Sequence, residues 1–147
     1  DMTEANGALL VIPGSHKGPI YDHHQDGRFC GAVTDPAFKP EHTVTVEVPA
    51  GGISIHHVRP LHGSAPNFSG APRRLLLFQY VAIDAWPMAG PGAWDAFSRT
   101  VLRGEQTNIP RMKDVPIRMP LPGALHGGSI YENQSVLENK ILARKAW

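Results

Sequence analysis

The sequence predicts a mainly β domain, a sandwich or barrel of short antiparallel strands. Three observations predict it. The chain carries 15 glycines and 14 prolines among 147 residues, too much punctuation for a bundle of long helices. Residues 42–48 alternate cleanly between valine and polar side chains. Several short apolar runs end abruptly in turn formers. The length suits one domain, and a chain 41% hydrophobic and 18% charged is globular rather than disordered.

The elements follow in order. Gly7 to Ile12 is an apolar run closed by Pro13-Gly14, a buried strand entering a turn. Ser15 to Pro40 has no sustained period and contains Asp26-Gly27 and Asp35-Pro36, which predicts a long loop with at most a helical turn. In His42 to Val48, Val44, Val46 and Val48 share one face of a half-buried strand. Pro49-Ala50-Gly51-Gly52 turns the chain into the next strand, Ile53 to Val58. Pro60 to Pro72 is a turn-rich loop. Arg73 to Ile83 is the longest apolar strand and is expected deep in the sheet.

The second half differs. Pro87 to Gly92 is a loop. Trp94, Phe97 and Val101 recur at helical spacing, which predicts a short amphipathic helix over 93–103 closed by Gly104. Residues 105–130 carry four prolines (Pro110, Pro116, Pro120, Pro122) and are expected to run extended. Ser135 and Glu138 have the spacing of a capping box that opens a final helix. The core is therefore expected over 1–85, with 86–147 as a helical extension of the same domain.

Composition excludes several classes. Fourteen basic and 13 acidic residues give a net charge of +1, so no basic face for nucleic acid is implied. No apolar run approaches the roughly 18–20 residues of a membrane span. The start, Asp1-Met2-Thr3-Glu4, has no signal-peptide character, and a cytoplasmic location is expected. Cys30 is the single cysteine, which rules out an internal disulfide and a thiolate-rich zinc site. It reads as a small semi-buried residue. Histidine is the unusual count. There are eight, and all but His126 lie at or before His62, which is reason to look for a metal. No feature of the sequence sets an oligomeric state.

His62 leads into the turn Gly63-Ser64-Ala65-Pro66-Asn67, and Arg73 follows eleven residues after the histidine. An antiparallel return would bring that arginine beside the histidine. Alternation does not settle whether Arg73 or Arg74 points inward, because both faces beyond them are apolar. An inward arginine suits a carboxylate in bidentate contact. A metal ligand beside a carboxylate anchor fits a chelating 2-oxo acid.

Asn6-Gly7-Ala8-Leu9, Ile12-Pro13-Gly14-Ser15-His16, Leu61-His62-Gly63-Ser64-Ala65-Pro66-Asn67 and Pro72-Arg73 together resemble the phytanoyl-CoA dioxygenase family of Fe(II)/2-oxoglutarate-dependent oxygenases. The resemblance covers residues 1 to about 85 and is loose beyond. It implies a double-stranded β-helix (jelly roll, cupin-like), here partial, with iron held by two histidines and a carboxylate. His62 matches the distal iron histidine. Arg73 matches the anchor of the far 2-oxoglutarate carboxylate, and Ser64 the hydroxyl that assists it. Fe(II), 2-oxoglutarate and O2 are thereby implied, with decarboxylation to succinate coupled to hydroxylation of a small organic substrate. Halogenation is equally open to this family.

One departure matters. The family's His-x-Asp iron motif precedes the Asn-Gly-Ala-Leu strand, and this chain starts at Asp1, five residues before Asn6. The expectation is a C-terminal piece lacking two of three iron ligands. His24-Gln25-Asp26 has the same spelling but follows the Pro-Gly-Ser-His turn, so His24 and Asp26 read first as a solvated loop and only second as ligands. His16 and Asn67 read as turn residues, His56 and His57 as core or cross-strand residues, and Trp86 and Trp94 as packing. Three rival readings stand beside the oxygenase. They are a cupin-like metal protein without 2-oxoglutarate chemistry, a zinc hydrolase using His23, His24 and Asp26, and a non-catalytic truncated domain.

Overall fold

The computed structural model describes residues 1–138. The chain divides into two compact units. One comprises Asp1–Arg74 with the described residues from Pro116 onward, and the other Leu75–Val115.

The first unit is built on a three-stranded antiparallel sheet. Strand β1 (Leu9–Val11) lies at its centre, between β4 (Val44–Val46) and β5 (His62–Ser64). The most apolar strand takes the central place, where both edges are paired. Leu9 stands opposite Val46 and Ser64, and Val11 opposite Val44 and His62. Side chains alternate along strands, so Leu9, Val11, Val44, Val46, His62 and Ser64 share one face. Beyond β4 the sheet continues as a single bridge in which Met2 and Val48 exchange backbone hydrogen bonds of 2.7 and 2.9 Å.

Gly7 lets β1 approach β5. It holds φ +81°, a left-handed conformation that costs an L side chain. A Cβ there would lie 2.5 Å from the Ala65 carbonyl oxygen. Ala8 beside it is fully buried, and its carbonyl accepts from Ala65 N–H at 3.4 Å.

The loop expected over 15–40 contains a hairpin, β2 (His24–Gln25) paired with β3 (Arg28–Phe29). Asp26 and Gly27 both have positive φ, the requirement of a type I′ turn. Cys30 is buried directly after β3, with its thiol donating to the His23 carbonyl at 3.3 Å.

Residues 130–138 contribute α2 (Ile130–Asn133), whose first turn is capped by the Ser129 hydroxyl accepting from Tyr131 N–H at 3.2 Å. The expected capping box at Ser135 does not form. Ser135 lies inside a 3-10 turn, and its hydroxyl donates to the Glu132 carbonyl at 2.6 Å. The rest of that expected helix falls outside the described residues.

In the second unit, α1 (Trp94–Ser98) is shorter than the expected helix and has left the α conformation before Gly104. Trp86, Trp94 and Phe97 form a mutual aromatic cluster with ring centroids 5.5–6.1 Å apart, which is the packing role expected of the tryptophans. Asp84 and Arg111 join through a backbone hydrogen bond of 2.8 Å and an ion pair of 3.2 Å.

Two expected strands are absent. Residues 53–58 and 73–83 carry no ladder hydrogen bonds, and all their apolar side chains except that of Ile83 are open to solvent. Ile55 is 89% exposed where a strand was expected, and Leu76 is 84% exposed where burial deep in the sheet was expected. A β-strand exists only through a neighbour that takes its N–H and C=O groups. Among the described residues neither stretch has a hydrogen-bonded strand partner. Val44 is likewise half exposed rather than packed.

Candidate functional site

Strand β5 places His62 and Ser64 two residues apart and therefore on one face. The His62 ring is fixed by its own backbone. Nδ1 lies 2.8 Å from the Pro60 carbonyl oxygen. A carbonyl only accepts, so Nδ1 carries a hydrogen, and Nε2 is the ring nitrogen left to face outward. This is the arrangement of a metal-ligating histidine oriented by a backbone carbonyl. The His56 ring lies 5.7 Å away, centroid to centroid.

Arg73 reaches the same face. Its Nη2 donates to the Ser64 hydroxyl at 3.4 Å, and its Nη1 to the Met2 thioether sulfur at 3.5 Å. Arg73 is half-buried whereas Arg74 is exposed, which settles the ambiguity that alternation left open. Among the described residues no carboxylate pairs with Arg73. Its guanidinium has five N–H donors, and the described residues engage two of them.

The hairpin carries a second constellation. His24 is buried, and its Nδ1 lies 2.6 Å from Asp22 Oδ1. The other Asp22 oxygen accepts from Arg118 Nη1 at 2.8 Å. Burial pushes the Asp22 carboxyl up, but the hydrogen bonds from His24 and Arg118 outweigh it and hold the group below its ordinary 3.8. His23 is pushed below its ordinary 6.5 by burial, with the Asp22 charge opposing and the His24 charge adding. His24 Nε2 has no hydrogen-bond partner among the described residues.

The carboxylate beside His24 is thus Asp22, two residues before it, and not Asp26, two residues after. Asp26 is committed to the hairpin turn and accepts from Gln25 Nε2 at 3.3 Å. Among the described residues no three His, Cys, Asp or Glu side chains are grouped to hold a metal ion. Neither the His-x-Asp spelling nor the zinc-hydrolase reading finds a cluster here.

Sequence reasoning brought His62, Ser64 and Arg73 to one site and missed Met2, Asp22 and Arg118. Met2 belongs to no motif. Asp22 had a signal, because residues two apart on an extended segment share a face. Arg118 had none, being 96 positions from its partner.

Comparison with known proteins decides the family. A sequence model of phytanoyl-CoA dioxygenase (PhyH) matches residues 1–75, the stretch that holds β1 to β5 and Arg73. The chain belongs to the phytanoyl-CoA dioxygenase family. It is also 40% identical over 146 residues to a protein of Stutzerimonas stutzeri described as "Probable alpha-ketoglutarate-dependent hypophosphite dioxygenase". That similarity covers 95% of this chain, and the chain spans about half the length of that relative, 51%. No solved structure shows a significant match. The small antiparallel sheets and few helices are consistent with the cupin-like architecture of the PhyH family. No described helix is long and apolar enough to cross a membrane.

Proposed function

We propose that this chain is the C-terminal portion of an Fe(II)/2-oxoglutarate-dependent dioxygenase built on a jelly roll, acting on a small molecule. The observation that carries the reading is the juxtaposition of His62, Ser64 and Arg73 on one face. Fe(II) would be held by His62 Nε2, with the remaining two ligands supplied from outside this chain, and would provide the oxygen activation that no side chain can. Arg73 would receive the far carboxylate of 2-oxoglutarate on its unengaged N–H groups, and the Ser64 hydroxyl would hold the guanidinium and offer a further hydrogen bond. The Pro60 carbonyl fixes the His62 tautomer and ring orientation, which leaves Nε2 as the metal-facing atom.

The exposed apolar stretches support the portion reading. Ile53, Ile55 and Val58, and the run from Leu75 to Val81, are each more than half exposed, a quantity of bare apolar surface that marks an interface. A relative of twice the length has the additional chain to supply neighbouring strands. In that setting residues 1–85 form one part of the β-helix core and 86–147 its extension. Location in the cytoplasm is part of the same proposal.

The substrate to try first is hypophosphite, by the name of the Stutzerimonas stutzeri relative. With the natural polypeptide that contains this chain, succinate formation from 2-oxoglutarate should require Fe(II), and Arg73→Ala should raise the KM for 2-oxoglutarate by well over tenfold, the worth of a charge-assisted pair. His62→Ala should abolish the visible charge-transfer band that Fe(II) and 2-oxoglutarate produce without oxygen. An unchanged 2-oxoglutarate dependence in Arg73→Ala would sink the assignment in favour of a cupin-like protein.

A further inference from the structure

We propose that Met2 is a positioning residue for the Arg73 guanidinium, and that its weak, neutral acceptor keeps the cation oriented but unspent for a dicarboxylate co-substrate. This rests on the reading of Arg73 as the 2-oxoglutarate anchor. Among the described residues Arg73 makes two side-chain hydrogen bonds, Nη2 to Ser64 Oγ at 3.4 Å and Nη1 to Met2 Sδ at 3.5 Å. Together they fix both terminal nitrogens, and so the plane of the fork.

The backbone explains why Met2 can do this. Its N–H and C=O are both bonded to Val48, so the residue is clamped to the sheet beyond β4. Asp1 holds the same corner through Oδ1, which accepts from Ala50 N–H at 2.7 Å. The thioether is thus carried on fixed backbone, and the side chain is half-buried.

The chemistry of sulfur explains why a methionine suits the place. A thioether is a weak acceptor without charge. A carboxylate there would form a bidentate pair with Arg73 and compete with the incoming co-substrate. An aliphatic side chain would fill the space but leave Nη1 without an acceptor. Met2 lies between these extremes, and no described acidic residue pairs with Arg73.

The test uses the full polypeptide with Zn(II), which is redox-silent and diamagnetic, and measures 2-oxoglutarate binding by calorimetry alongside the Arg73 side-chain nitrogen signals by NMR. Met2→Leu keeps the volume and should weaken binding by about three- to tenfold, the worth of one neutral hydrogen bond. Met2→Gln, which restores an acceptor, should recover most of that loss. Met2→Glu should weaken binding more than Met2→Leu does. Thermal midpoints should not follow this order, and the Arg73 Nη signals should broaden in Met2→Leu alone. Equal affinities in Met2→Leu, Met2→Gln and Met2→Glu would overturn the role of Met2. If Arg73→Ala binds 2-oxoglutarate as well as the unaltered protein, the anchor reading fails and this inference falls with it. If Arg73→Ala loses binding while Met2→Leu does not, only the inference falls.

Discussion

Replacing Gly7 by alanine tests the close approach of β1 to the turn after β5. Two costs add. Gly7 holds φ +81°, and an L residue there pays roughly 1–2 kcal/mol. The new Cβ would also sit 2.5 Å from Ala65 O and 3.3 Å from Asn67 N, both backbone atoms that cannot swing aside. Relief requires the 65–67 turn to retreat, which strains the Ala65 N–H to Ala8 O bond and the Phe68 N–H to Ala5 O bond. Each is worth about 1 kcal/mol. The total is about 3–4 kcal/mol before the smaller entropy of the unfolded alanine chain returns about half a kcal/mol. Gly14→Ala is the control. Gly14 has φ +80°, yet nothing lies within 4 Å of its Cβ position, so it should cost the strain alone, about 1 kcal/mol. Urea unfolding followed by circular dichroism reads both midpoints, with unchanged slopes as the condition for comparison. Equal losses in the two variants would refute the view that contact at Gly7, and not backbone strain, holds β1 to β5.

Two other expectations concern the hairpin and acid. Asp22→Ala removes the acceptor of a buried His24 N–H and should cost about 1–3 kcal/mol, whereas Arg118→Ala removes an exposed pair and should cost under about 1 kcal/mol. The same urea series decides it, and equal losses would mean the His24 contact contributes nothing. On acidification, His23 should act first. Its folded value lies below 6.5, so the unfolded chain protonates first and stability falls from about pH 6.5 down to the folded value. Asp22 is the later step, its contribution full above 3.8 and lost as the pH drops through its lower folded value. Midpoints measured from pH 8 to 3 should lose the upper step in His23→Gln, and its persistence would assign that step elsewhere.

The parts of the fold legible in the sequence are those that local pattern controls. Valine alternation located β4, and the apolar run before Pro13-Gly14 located β1. Asp26-Gly27 is a hairpin signal that a two-residue strand on either side was too short to amplify. Strand β5 hid inside a turn-rich segment because Gly63 interrupts it, and its partner, β1, lies some fifty residues away. The segments 53–58 and 73–83 show the reverse error. Their composition records a demand for burial, but burial depends on a neighbour, and pattern carries no information about whether one is present. The same logic holds at the site. Motif spacing brought His62, Ser64 and Arg73 together, and only coordinates could choose Arg73 over Arg74 or reveal the thioether at Nη1.

The run from Leu75 to Ile83 has a consequence for the solubility of the chain. Nine consecutive residues there contain no charge and no proline, and most of their large side chains are bare. Such a stretch stacks readily with copies of itself. Arg73-Arg74 on one side and Asp84 on the other are charged gatekeepers at its ends. Arg73 then has a second duty that concerns solubility and not chemistry. A variant that removes its charge exposes the run to self-assembly as well as emptying the proposed anchor, while Arg73→Lys keeps the guard and loses only the planar fork. Comparing the two variants over a range of protein concentrations separates a loss of catalysis from a loss of material.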